Sequence, residues 1–151
     1  MNVGAVLAKG GYAAGFVGKF HVGPSLSDPA FRKKYGLHDV QKNAPFTERL
    51  NQQQFENEKR FRQVIKDYGF TWAKNIYWDN TKAPFQNHNP EWTAAAAVEF
   101  IEEHKPDSWL HGHLHASSNY RMGQCNVVCN PKGYKGEVGL SFDPMFTVEV
   151  T

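Results

Sequence analysis

Residues 90–115 read PEWTAAAAVEFIEEHKPDSWLHGHLH, and the stretch changes character in its middle. The first half is written for a helix. Asn89 suits the cap, Pro90 the first helical position and Glu91 the positive end of the helix dipole. Four alanines follow, and Ala95, Val98 and Ile101 or Glu102 mark the faces. A helix is therefore expected over Pro90–His104, ahead of Lys105-Pro106. The second half is written for a short strand, Ser108–His111, that runs into histidines at 111, 113 and 115. In an extended chain alternate residues face one side, so all three rings converge. If the chain turns after Gly112, only His113 and His115 need do so. Neutral imidazole is the commonest side-chain metal ligand near neutral pH. His111, His113 and His115 are thus the candidate metal ligands, and a divalent ion (zinc, manganese or iron) is the candidate cofactor.

Toward the N-terminus, Val3–Ala8 is apolar and helix-compatible, and Gly10-Gly11 ends it. Tyr12–Phe20 reads as a buried strand of small and apolar residues. Gly23-Pro24 and Asp28-Pro29 mark a loop. Residues 32–53 are polar and irregular. A helix is expected from about Gln52 to Tyr68, because Phe55, Phe61, Val64, Ile65 and Tyr68 fall near one helical face and Gly69 follows. Asn75–Trp78 is a short aromatic segment read as a strand. Toward the C-terminus, Tyr120–Met122 and Asn126–Cys129 read as strands joined by a tight turn at Gly123-Gln124. Pro131–Gly139 is a glycine-rich loop, and Phe146–Val150 alternates like a final strand. Helices dominate before about residue 104 and strands after it. The expected class is α/β or α+β, one small unit with a long helix and a C-terminal sheet.

Composition removes several functions. Seventeen basic against fifteen acidic residues leave a formal charge of +2 in 151 residues. That balance provides no nucleic-acid footprint and no polybasic patch for anionic lipid. With 40% hydrophobic and 21% charged residues, the chain is not compositionally disordered. No apolar run approaches the roughly 20 residues that span a bilayer, and Met1–Gly11 has no basic stretch before an apolar block. A cytoplasmic location without membrane contact is expected. Two cysteines are too few for a disulfide scaffold, and Cys125 and Cys129 read as buried small hydrophobes. The 130–139 loop lacks the lysine-serine ending of a phosphate-binding loop.

Two resemblances divide the chain at residues 103–106. Lys105–His115, then Val127-Val128-Cys129-Asn130-Pro131-Lys132-Gly133-Tyr134 and Phe142-Asp143-Pro144, resemble the C-terminal end of calcineurin-like metallophosphoesterases. The resemblance implies that His113 and His115 ligate a two-metal centre whose hydroxide attacks a phosphoester in line; His111 precedes that motif. The family's earlier motifs (Asp-x-His, Gly-Asp-x-x-Asp and Gly-Asn-His-Glu) do not occur in residues 1–104. Two histidines do not hold two metals, and a hydrolytic site usually has three protein ligands and an open position. The remaining ligands are expected from His111, His21, His88, Asp79 or Asp143, or from a neighbouring subunit.

Residues 1–103 resemble an internal slice of the sulfatases, members of the alkaline-phosphatase-like superfamily. The likeness rests on Gly18-Lys19-Phe20-His21-Val22-Gly23, on Asp67-Tyr68-Gly69-Phe70 and on His88-Asn89-Pro90-Glu91-Trp92-Thr93. It implies that Lys19 and His21 contact the anionic group and the catalytic residue, with Phe20 in place of tryptophan. The Cys/Ser-x-Pro/Ala-x-Arg motif that becomes formylglycine is absent, so no sulfatase turnover is expected.

The expected activity is metal-dependent hydrolysis of a small phosphodiester or activated aryl phosphoester. Lys19 or Lys132 would neutralise developing charge. The alternative is a non-catalytic metal-binding protein or a structural relic of a gene fusion, natural or engineered. Each slice brings only a few strands of a large parental sheet, so uncovered edges predict a homo-oligomer, a dimer or larger.

Overall fold

The helix expected over Pro90–His104 spans those residues in the computed structural model. The structure describes residues 2–21, 23–79, 81, 84–87, 90–112, 116–137 and 141–149. It is a mixed α/β chain with four helices and two small sheets among the described residues. Two units separate within that helix, Met1–Val98 and Glu99–Thr151. No helix among the described residues is long and apolar enough to cross a membrane.

The first unit opens with α1 (Val3–Lys9), where Asn2 Oδ1 accepts from Ala5 N at 3.0 Å. Strand β1 (Gly15–Lys19) occupies the second half of the expected strand. The Asp28-Pro29 pair, read as a loop, instead starts a helix, α2 (Pro29–Tyr35). Asp28 Oδ1 accepts from Ala30 N at 2.8 Å and from Phe31 N at 3.4 Å, and the proline ring fits the first turn. The next helix, α3, runs Glu48–Asp67 and begins before Gln52 because Thr47 Oγ1 caps Leu50 N at 3.1 Å. Strand β2 (Trp72–Tyr77) follows.

Strands β1 and β2 pair in parallel, with α2 and α3 forming the crossover that parallel pairing needs. Gly18 pairs with Ile76 while Val17 pairs with Lys74, so Asn75 is bulged out of β2. Its φ of 53° is tolerated by asparagine, and its Nδ2 donates to Trp92 O at 2.5 Å. The core consists of Phe20, Phe31, Leu37, Phe61, Val64, Ile65, Ala73 and Ile76. Phe16, Tyr68, Phe70 and Trp78 pack around it. The long helix, α4 (Pro90–His104), spans the division between the units.

In the second unit β3 (Ser108–His111), β4 (Ser118–Met122) and β5 (Cys125–Cys129) form a sheet in the order β3-β5-β4. Strand β5 is central, parallel to β3 and antiparallel to β4. The turn at Gly123-Gln124 forms as expected, with Gly123 at φ 60°. Ile101, Cys125 and Val127 are buried together with Trp109 against them. Residues 146–149 form no strand, and Val150 lies outside the described residues. Alternation specifies two faces; a strand also needs a partner for its backbone donors and acceptors.

Candidate functional site

The parallel pairing of β3 with β5 gives the second unit a shared carboxyl edge. His111 is half-buried and lies opposite Cys129. Asn126 N donates to Asp107 O at 2.9 Å where the two strands begin. At the other end Gly112 leaves β3 and Asn130 leaves β5. Asn130 clasps the chain at Asp143 from both sides of its amide: Nδ2 donates to Asp143 O at 2.7 Å and Oδ1 accepts from Asp143 N at 3.0 Å. Asp143 Oδ1 in turn accepts from Met145 N at 2.8 Å. Ser117 Oγ donates to Ser141 O at 2.9 Å, tying the start of β4 to the same segment. The stretches around His111, Asn130 and Asp143, far apart in sequence, thus frame one edge of the sheet.

His113 and His115 lie outside the described residues, as does His88. Among the described residues no three His, Cys, Asp or Glu side chains form a group able to hold a metal ion. Cys125 and Cys129 are buried free thiols, as the sequence reading expects. Burial pushes both thiols up, with the Asp107 charge adding to the effect at Cys125.

Lys19 and His21 belong to the first unit. Lys19 is exposed at the end of β1, paired with Tyr77. His21 Nε2 is 3.9 Å from Asp79 Oδ1, and its ring lies 5.0 Å from that of Trp78. The strand end therefore brings His21 to Asp79, two of the named ligand candidates, while Lys19 is absent from the walls of two cavities found in this unit.

One of those cavities, about 420 Å³, was not anticipated. Helix α3 supplies Gln54, Asn57, Glu58 and Phe61 to its wall, and the end of β2 supplies Ile76, Tyr77 and Trp78. Glu58, 4% exposed, receives Arg62 Nε at 2.9 Å and Nη2 at 2.8 Å on its two oxygens, and Ile76 N at 3.4 Å. Asn57 Oδ1 accepts from His38 N at 2.7 Å and its Nδ2 donates to His38 O at 3.0 Å. Gln54 Oε1 is sealed from solvent and meets no donor among the described residues. A signal was present: positions 54, 57 and 58 share a helical face with Phe61, so polar groups interrupt the stripe that faces the core. A second cavity, about 550 Å³, shares Trp78 and Asp79 with the first and carries His21 on its wall.

No protein-family model matches the chain, and a search of curated proteins finds no match to it.

Proposed function

We propose that the chain is a metal-dependent hydrolase of phosphoesters, acting on a phosphodiester or an activated aryl phosphoester. The observation that supports this reading is the common carboxyl end of β3 and β5, where His111 lies opposite Cys129, the residue before Asn130 of the Asn130–Asp143 clasp. Ligands of parallel sheets bind beyond the carboxyl ends of the strands. His111, His113 and His115 would hold zinc, manganese or iron, ions that imidazole nitrogen suits. Such an ion, when bound, supplies an activated water and polarises a phosphoryl oxygen. The chain's own contribution is positional: the two-point Asn130 clasp holds the Asp143 backbone at the strand end. Self-association would complete the ligand set, a reading supported by the outer edges of β1 and β2, which carry no further strand among the described residues.

The test is elemental analysis of the purified chain beside His113→Ala and His115→Ala, with turnover of bis(4-nitrophenyl) phosphate in zinc, manganese and iron. Bound metal and turnover in the wild type, both lost in the two variants, are expected. Metal without turnover would favour the non-catalytic alternative. Absence of both sinks the proposal.

A further inference from the structure

The aromatic cavity of the first unit has the size and walls of a small-molecule site. Phe61 and Trp78 stack on its wall with ring centroids 6.0 Å apart and planes 12° apart. Phe46 and Phe85 also line it and meet edge to face at 5.1 Å. Flat rings of this kind favour a flat ligand.

The polar groups narrow the ligand further. Glu58 has both oxygens engaged by Arg62, and Asn57 has both amide atoms engaged by the His38 backbone. Asp79, on the wall shared with the second cavity, has His21 within ion-pair distance. None of these demands a charged ligand, and Lys42, which also lines both cavities, is exposed to solvent. Gln54 differs: it is 9% exposed, it lines the cavity, and its Oε1 has no donor among the described residues. A buried acceptor without a donor destabilises the fold until a donor reaches it. Reaching Oε1 from the cavity requires a rotation about the terminal amide torsion, which is soft in glutamine.

We propose that this cavity binds a neutral, planar aromatic heterocycle that donates one N–H to Gln54 Oε1 while its ring lies among Phe46, Phe61, Trp78 and Phe85. A site built around one buried acceptor discriminates against an isostere lacking the donor.

Indole and benzofuran make the test, because they share a shape and differ in the N–H. Each is titrated into the full-length ¹⁵N-labelled protein and followed by amide shifts. Indole is expected to bind about tenfold more tightly than benzofuran, the ratio one buried hydrogen bond supplies. Shifts should centre on residues 54–61 and 76–78. Gln54→Leu should bring the ratio to about one with benzofuran affinity retained. Tryptamine and indole-3-acetate, the cationic and anionic relatives, should each bind more weakly than indole. Equal affinity of indole and benzofuran for the wild type overturns the proposal, as do shifts confined elsewhere. Tighter binding of either charged relative overturns the neutral class. The wild-type comparison decides even if the leucine variant does not fold.

Discussion

Glu56 shows how one side chain couples the helix to its surroundings. His38 Nε2 lies 2.5 Å from its Oε2, and Gln52 Nε2 donates to Oε1 at 3.1 Å. The His38 hydrogen bond, joined by that of Gln52 and by the Arg60 charge, holds the Glu56 carboxyl below the ordinary glutamate value. A carboxylate with a lowered folded pKa stabilises the fold above its unfolded pKa and loses that contribution as pH falls through the folded value. The wild type should therefore lose thermal stability below about pH 4.3, the ordinary glutamate value, and Glu56→Gln should lose less over the same range. Parallel melting curves of the two proteins between pH 7 and pH 3 would contradict this. The pairing with His38 was not visible in the chain, because it joins positions 18 residues apart whose approach depends on how α3 packs.

Elements were legible where the local chemistry was complete. Helix α4 has its proline start, its acidic first turn and a following Lys105-Pro106, and its bounds emerge as read. The turn between β4 and β5 was legible from Gly123, whose φ of 60° suits glycine. Helix α2 was missed because Asp-Pro serves loops and helix starts equally, and the helix runs only seven residues, Pro29 included, before Gly36. The Asp28 cap should matter accordingly. Asp28→Ala is expected to destabilise the protein by about 1 kcal/mol, read as a lower urea midpoint with an unchanged slope, and Asp28→Asn should restore most of it. An unchanged midpoint in the alanine variant would show that the cap is dispensable. At 146–149 the expected strand does not form, for the opposite reason: its pattern was good, but strand pairing is not encoded locally.

At the scale of the whole molecule, β1 and β2 form a parallel pair with no third strand among the described residues. Exposed sheet edges invite pairing with another chain. Light scattering at micromolar concentration is expected to show at least a dimer of the 17.1 kDa chain; a monomer would remove self-association as the source of missing ligands. The amino-acid sequence by itself determined the helix over 90–104, the three C-terminal strands, the buried thiols and the mixed class. Each of these depends on residues within a few positions of one another, through caps, turns and periodicity. It also singled out the histidines, since three imidazoles at alternate positions in one segment are a local fact. Only the tertiary structure decided that β3 pairs in parallel with β5, that Asn130 clasps Asp143, and that Gln54 and Trp78 face one cavity. Those relations join distant segments, and they follow from the packing that buries apolar surface rather than from any local preference.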